Sequence, residues 1–410
     1  MKILVLNSGS ATQKSSFYEI AVAPPEDPPA PLWEGLIEWG SGDAQISTTG
    51  PTGVRLERRV KISSRRDVTE QLLSDLWAGA APLISGPGAI EIVGHRIVHG
   101  GQEFSEPAFV TARLKDVVRQ VSEFAPLHNP LGLEGIEMIE EILGGVPQVA
   151  VFDTAFHRSI PEPAATYAGP YEWLARGIRR YGFHGINHEY CAQRAARLLG
   201  RDLKSLKLVT CHLGNGCSLA AVLEGRCVDT TMGFTPLEGL MMGTRSGSVD
   251  PGILTYLLRQ DHLSAEQLDD LLNTKSGLAG ISGISNDMRE IVSAIKAGNS
   301  RARLAFDIFI HRLTSLLGSM VAVLGGVDAL VFTAGIGENS AEVRAATCAN
   351  LEFLGVKLDL EKNAQAPRDG VISAPNSRAH LLVVRAREDW AIACACWTLA
   401  RERVGRKTHA

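Results

Sequence analysis

A chain of 410 residues exceeds what one ordinary hydrophobic core supports, so length alone points to two or three domains. With 45% hydrophobic and 21% charged residues it falls among globular chains, which excludes a disordered polymer. A formal net charge of −4 leaves no global field for nucleic acid, so any anion site must be built from local arginines.

Residues 3–6 form a short apolar run with the pattern of a buried strand, which turn-forming Asn7-Ser8-Gly9-Ser10 ends. That early turn leaves no continuous apolar stretch of the secretory type. Strands are expected next over 16–20, 32–39 and 54–60, the last with alternating apolar and polar residues. Residues 23–32 carry five prolines and read as a surface loop. Leu72, Leu73, Leu76 and Trp77 predict a helix over 67–78. Similar spacing predicts helices over 112–124, 133–143, 188–199, 304–324, 341–351 and 389–402. Buried strands are expected over 90–93, 148–152, 208–211, 330–333 and 381–384. Strands and helices alternating in this way indicate an α/β protein. The longest uncharged apolar stretch, 313–327, is shorter than the roughly 20 residues that cross a bilayer. It follows Asp307, His311 and Arg312 on one expected helix, so a buried core helix and no membrane span is expected. Seven cysteines contain no CxxC pair, and Cys394 and Cys396 fall on different faces of an expected helix. They read as reduced core residues and point to the cytoplasm.

Residues 3–20 read strand, Asn7-Ser8-Gly9-Ser10 turn, strand. Residues 207–223 repeat the theme around His212-Leu213-Gly214-Asn215-Gly216-Cys217-Ser218. Either a duplicated architecture with one phosphate-binding hairpin per domain, or two unrelated hairpins, accounts for the echo. A third glycine-rich segment, Gly335-Ile336-Gly337-Glu338-Asn339, follows an expected strand and precedes an expected helix, as a nucleotide loop would. Glycines leave backbone N–H groups exposed and, lacking Cβ atoms, let a phosphate come close. No GxxxxGK[ST] accompanies them, which excludes a P-loop kinase, and no GxGxxG suggests a Rossmann site.

Charged groups in unusual company narrow the chemistry. Arg96, in Gly94-His95-Arg96-Ile97-Val98-His99-Gly100-Gly101, ends a buried strand beside a glycine turn, and Arg245 lies in Met241-Met242-Gly243-Thr244-Arg245-Ser246-Gly247. A planar guanidinium there suits carboxylate or phosphate oxygens, and a structural salt bridge is the competing reading for each. His184, in Arg180-Tyr181-Gly182-Phe183-His184-Gly185, is placed to donate to a transferring phosphoryl oxygen. The spacings His184…His188 and His95…His99 lack the glutamate of HExxH, and Gly185 speaks against one continuous helix through His184 and His188, so zinc is not expected. Asp153 follows a strand, where open α/β sheets place functional groups. Asp287 and Arg289 would bind ribose or base edges, or each other. Glu388 opens the last helix, and capping is its plain reading.

Taken together, these stretches, with Pro126-Leu127-His128-Asn129-Pro130 and residues 151–156 and 232–247, closely resemble the acetokinase family of the sugar kinase/Hsp70/actin superfamily. The resemblance runs from Met1 to about Ala393. It implies two RNase H-like domains, 1–152 completed by 386–410 and 153–385, with an active site in the cleft between them and a homodimer. It implies reversible phosphoryl transfer between ATP and acetate, giving acetyl phosphate and ADP, with Mg²⁺ as cofactor and Mn²⁺ able to substitute. On this reading Asp153, His184 and Arg245 are catalytic and Arg96 binds the carboxylate. Val98, Leu127, Phe183 and Pro236 wall a methyl-sized pocket, with His128 beside it. Asn7 and Glu388 belong to the metal's neighbourhood and Lys14 to the nucleotide phosphates. The residues His212, Leu213, Gly214, Asn215 and Gly216, then Asp287, Met288 and Arg289, then Gly335, Ile336, Gly337, Glu338 and Asn339, are the ATP-contact segments. Thr12, Asn187, Ser248, the proline-rich loop and Arg385-Ala386-Arg387 depart from the family's usual pattern.

Acetate is ionised at pH 7, since ordinary carboxyl pKa values lie near ~4, so the nucleophile needs no general base. Asp153 is therefore expected to orient Mg²⁺ through water. The alternatives are a propionate or butyrate kinase on the same fold and, more remotely, a non-catalytic nucleotide switch of the actin/Hsp70 type.

Overall fold

The computed structural model describes residues 1–9, 11–79, 81–126, 128–365 and 369–408, with side chains to residue 403. The chain divides into two compact units, Met1–Ala155 with Arg387–Ala410, and Phe156–Ala386.

The first unit holds β1 (Lys2–Ser8), β2 (Thr12–Glu19), β3 (Trp33–Trp39), β4 (Asp43–Thr49), β5 (Arg55–Lys61), β6 (Ile92–Ile97), β7 (Ala108–Phe109) and β8 (Gln148–Phe152). They form one sheet in the order β5-β4-β3-β2-β1-β6-β8-β7. The second unit holds β9 (Lys207–Leu213), β10 (Cys217–Leu223), β11 (Arg226–Thr230), β12 (Ala329–Thr333), β13 (Gly370–Val371) and β14 (His380–Val383) in the order β11-β10-β9-β12-β14-β13. The two sheets share a plan. In each, an antiparallel meander leads to a strand that pairs in parallel with a later one, and a two-residue antiparallel strand closes the far edge. The echo seen in the sequence is thus a duplicated RNase H-like topology.

The apolar runs are continuous because the central strands are covered on both faces. In the first unit Leu4, Leu6, Phe17 and Ile37 pack with Val68, Leu72, Leu73 and Leu76 of helix Arg65–Ala78. Helix Glu388–Thr408 lies against β1 and β6. Gly94 permits that approach, because a Cβ there would fall 2.5 Å from Ile392 Cγ2 and 2.7 Å from Cys396 Sγ. In the second unit Leu208, Ala220, Val331 and Leu382 pack with Cys191, Ala192, Ala195 and Ala196 of helix Gly185–Leu198. Helix Ser300–Leu324 is long and apolar enough to cross a membrane, yet it packs on β9 and β10. Its buried face runs through Phe309, Leu313, Leu317 and Met320, and Gly325 stops it with φ 62°. The helix expected over 304–324 thus ends where expected and begins one turn earlier, at Ser300.

Other expectations change for physical reasons. Strand β4 was not anticipated, because its buried Ser47 and Thr48 break the apolar pattern. Strand β5 lies at the sheet edge with Leu56 exposed, so its alternation does not mark a buried face. The helix expected over 112–124 is Ala112–Gln120 followed by a 3-10 turn at Val121–Phe124. Helix Asn129–Leu143 starts a turn before the expected residue 133, with Pro130 in its first turn, where a missing N–H costs nothing. Helices Pro251–Gln260, Ala265–Thr274 and Met288–Lys296 were also unforeseen.

Replacing Gly94 with alanine should destabilise the first unit by about 1–3 kcal/mol, the usual cost of forcing atoms into a packed core. Chemical denaturation would show this as a lower midpoint, and an unchanged midpoint would mean the helix is not seated as described.

Candidate active site

In the first unit β1, β6 and β8 run parallel and end side by side, in register at Leu6/His95 and Ile97/Phe152. Their carboxyl ends bring Asn7, Arg96 and Asp153 together, the edge at which open α/β sheets present functional groups. Arg96 donates from Nε to Asp153 Oδ1 at 3.1 Å and from Nη2 to Oδ2 at 2.5 Å. Its Nη1 reaches Asn7 Oδ1 at 3.4 Å, and its Nε lies 3.6 Å from Glu388 Oε2 at the start of the last helix. Burial alone would lower the Arg96 pKa, but Asp153 and then Glu388 outweigh it and hold the pKa above its ordinary value. Arg96 and Asp153 form an ion pair, with Asp153 only 1% exposed. Glu388 is more than a cap, because it faces the same guanidinium. Tyr18 Oη and Ser16 Oγ donate to Asp389 Oδ2 at 2.6 and 3.1 Å, anchoring the turn that carries Glu388.

Lys14 stands opposite Asn7 across the β1–β2 ladder and is exposed. Val98 is buried just beyond β6. The next residue is clamped by Asn129, whose side chain exchanges 3.0 Å bonds with the backbone N and O of His99. His128 is half-buried at the N-cap of helix Asn129–Leu143, and Leu127 lies outside the described residues. His95 Nε2 bonds Gln148 Oε1 at 2.6 Å, and burial lowers the pKa values of His95 and His99 to about 4.

Asn7, Asp153 and Glu388 offer amide and carboxylate oxygens around one guanidinium, a donor set that suits a hard cation such as Mg²⁺. Among the described residues no group of three or more His, Cys, Asp or Glu is placed to enclose a metal. Magnesium commonly takes one or two carboxylates and fills its remaining positions with water and phosphate oxygens, so the set fits it.

In the second unit the β9–β10 hairpin is the focus. A Cβ on Gly216 would lie 3.2 Å from His184 Nε2 and 3.4 Å from Arg245 Nη1, so both side chains converge on its tip. Arg245 Nη1 donates to the carbonyl of Pro236 at 3.1 Å. Gly243 N donates to Asn215 O at 3.0 Å, binding the arginine's loop to the same tip. His184 caps helix Gly185–Leu198 in the left-handed region, φ 58° and ψ 20°, which is strained for a residue with a Cβ. The helix thus begins at Gly185, three residues before the expected start at 188, and leaves His184 outside it. His184 stacks on His212, ring centroids 3.9 Å apart at 9°. His157 Nε2 donates to the carbonyl of buried Phe183 at 2.9 Å. Asn187 Nδ2 donates to His212 Nδ1 at 2.8 Å and to Thr333 Oγ1 at 3.3 Å, which ties β9 to β12.

The remaining candidate segments are less open than their sequences suggested. Asp287 and Arg289 pair with each other, Nη2 to Oδ2 at 2.5 Å, and Asp287 also accepts from Arg289 N at 2.8 Å as the cap of helix Met288–Lys296. Asn286 Nδ2 does reach the hairpin, donating to Asn215 Oδ1 at 3.0 Å. Met288 is buried. The segment Gly335–Asn339 is not a loop before a helix but the body of helix Ala334–Asn339. Gly337 sits against β9 there, a Cβ on it falling 3.5 Å from Cys211 O and 3.7 Å from Leu213 Cβ. Glu338 Oε1 turns inward to accept from Ala334 N and Ala386 N at 2.9 and 2.8 Å, and burial raises its pKa.

A clamp that was not legible beforehand holds the loop carrying Pro236. Arg180 donates to the carbonyls of Thr230 and Met232 at 3.1 and 3.0 Å and to Glu238 Oε1 at 2.8 Å. Tyr167 Oη donates to Glu238 Oε2 at 2.5 Å and accepts from Phe234 N at 2.8 Å. The one signal in sequence was that Arg180 shares its stretch with His184. Ser248 accepts from Gly239 N at 2.9 Å behind the same loop.

Residues 2–394 match the family model described as "Acetokinase family". An acetate kinase of Cyanothece sp. is 56% identical over 97% of this chain and 98% of its own length. One of Nostoc punctiforme is 55% identical over 98% and 100%. Among solved structures, acetate kinase of Porphyromonas gingivalis superposes with TM-score 0.90 at 40% identity, covering 97% of this chain and 99% of that one. A propionate kinase of Francisella tularensis gives 0.89 at 38% identity over the same shares, 97% and 99%.

Glu238→Ala should cost about 1–3 kcal/mol, because Arg180 and Tyr167 lose their shared acceptor while half-buried. The denaturation midpoint reads this, and a wild-type midpoint would show that the clamp is idle.

Proposed function

Because the chain belongs to the acetokinase family, we propose that it is an acetate kinase, moving a phosphoryl group reversibly between ATP and acetate to give acetyl phosphate and ADP. The observation that carries this is the convergence of His184 Nε2 and Arg245 Nη1 on the tip of a glycine hairpin. A hairpin of this kind offers backbone N–H groups to phosphate, and the two side chains add donors where charge develops on the transferring group. Phosphoryl transfer depends mainly on positioning and charge neutralisation, and these groups supply both.

Arg96 orients the acetate carboxylate, and Arg245 with His184 holds the transferring phosphoryl oxygens. Val98, Phe183, Pro236 and Leu127, with His128, shape the acyl side. Lys14, the His212–Gly216 hairpin, Asp287 to Arg289 and Gly335 to Asn339 belong to the nucleotide. Asn7 and Glu388, with Asp153, would hold Mg²⁺, which when bound neutralises charge on the nucleotide phosphates; Mn²⁺ is the expected substitute. Asp153 acts by charge and position. Both its oxygens face the Arg96 fork, and an ionised acetate gives a base nothing to remove.

The enzyme is proposed to work as a cytoplasmic homodimer. Six of the seven cysteines are buried, as small apolar core residues are, which suits a reducing compartment. Helix Pro251–Gln260 exposes Ile253 and Tyr256 one turn apart, a face suited to a second copy.

The acyl preference is the open alternative, since one solved relative is titled a propionate kinase. Hydroxamate trapping of acyl phosphate from ATP should give the largest kcat/KM with acetate. Propionate should be weaker by about 10- to 200-fold, the range for one methylene in an apolar pocket. Propionate equal to or above acetate would make this chain a propionate kinase, and no acyl phosphate from any short acid would overturn the enzyme. Asp153→Asn should lower kcat by about 10²- to 10³-fold, the scale of losing one charge-positioning group. The Mg²⁺ concentration for half-maximal rate should rise with it. A normal metal response with a rate tracking a carboxylate pKa would restore Asp153 as a base.

A further inference from the structure

Behind His184 the second unit buries a chain of polar side chains that the proposed chemistry does not use directly. His184 Nδ1 lies 2.8 Å from Ser218 Oγ, Ser218 Oγ lies 2.7 Å from His188 Nε2, and His188 Nδ1 lies 2.7 Å from Thr210 Oγ1. Ser218, His188 and Thr210 are all buried. A hydroxyl has one proton to donate, and among the described residues Ser218 Oγ has hydrogen-bond partners only in His184 Nδ1 and His188 Nε2, so it donates to one and accepts from the other, and the chain runs in one direction. The end at Thr210 decides which. Among the described residues and apart from His188, its hydroxyl meets only the carbonyl of Ala220, 3.5 Å away and beyond the normal O–H···O range of roughly 2.5–3.0 Å. Thr210 therefore donates to His188 Nδ1. His188 is a neutral imidazole, because burial and then neighbouring His157 and His212 hold its pKa well below the ordinary value. Its single proton is left on Nε2, which donates to Ser218 Oγ, and Ser218 in turn donates to His184 Nδ1.

We infer that Thr210, His188 and Ser218 are positioning residues that keep the neutral His184 ring protonated on Nε2, the nitrogen beside Gly216 and Arg245. His184 then donates to an anionic phosphoryl oxygen without first becoming an imidazolium next to a guanidinium. The inference rests on the kinase reading for its consequence, while the proton arrangement stands on the geometry alone.

Two measurements on the full chain test it separately. Two-bond ¹H–¹⁵N correlation of imidazole-labelled protein at neutral pH, with His184→Gln and His188→Gln spectra to assign the signals, reads the tautomers directly. Nε2–H on both rings is expected; Nδ1–H on either, or a cationic His184, overturns the inference whether or not the chain is a kinase. In the acetyl phosphate assay, Thr210→Val should lower kcat by about 5- to 10-fold, the worth of one buried hydrogen bond, with KM for acetate and ATP within about twofold. Thr210→Ser restores the hydroxyl and should recover the rate. A Val variant as fast as wild type, or a Ser variant as slow as Val, overturns the inference. A wild-type chain that makes no acyl phosphate sinks the kinase reading and leaves the tautomer result standing.

Discussion

The first unit is organised around one requirement: a carboxylate at the end of β8 is buried to 1% exposure and must be neutralised where it lies. Arg96 meets it with a two-pronged fork, and parallel pairing of β6 and β8 sets the two residues at the same edge. The same guanidinium reaches Asn7 on β1 and faces Glu388 on the returning helix, so four chain segments are referenced to one cation. An ion pair of this kind adds little net stability, and breaking it by removing one partner is costly. It therefore serves better as a datum for geometry than as a source of stability.

The second unit repeats the topology and uses the equivalent ground differently. Where the first unit ends its central strands in charges, the second surrounds its hairpin with imidazoles and amides. His184, His188 and His212 lie within about one ring's width of each other, with centroids 3.9 to 6.4 Å apart. Imidazoles packed this closely cannot all be charged, and the neutral state of the buried ones makes hydrogen-bond direction, rather than charge, the controlling variable. A duplicated scaffold thus carries two kinds of polar site on one strand order.

Much of this was legible in the residues. The apolar runs of β1, β8, β9 and β12 are continuous because both faces are covered, and the glycine hairpin at 214–216 marked itself by composition. Arg96, Asp153, His184 and Arg245 were each singled out by context, but their partners were not. Nothing in the chain's order says that Asp153 would occupy Arg96, because the pairing is set by strand order across 57 residues. The glycines at 335 and 337 misled in the other direction, since a helix backed by buried Arg344, which donates to the carbonyls of Gly337 and Glu338, tolerates them. Strand β4 hid behind serine and threonine, and the Glu238 clamp behind residues that look like ordinary surface charges.

The last helix, which packs on β1 and β6 through the space above Gly94, also orders events in time. The sheet it covers is complete by residue 152, yet its cover is made from residues 388 onward. On the ribosome the second unit is therefore finished while one face of the first still shows its apolar side to water. The first unit closes only once residues 388–408 have been made. Any holding chaperone has a defined surface to protect in that interval, and truncations near the C-terminus should be read as folding defects of the N-terminal half.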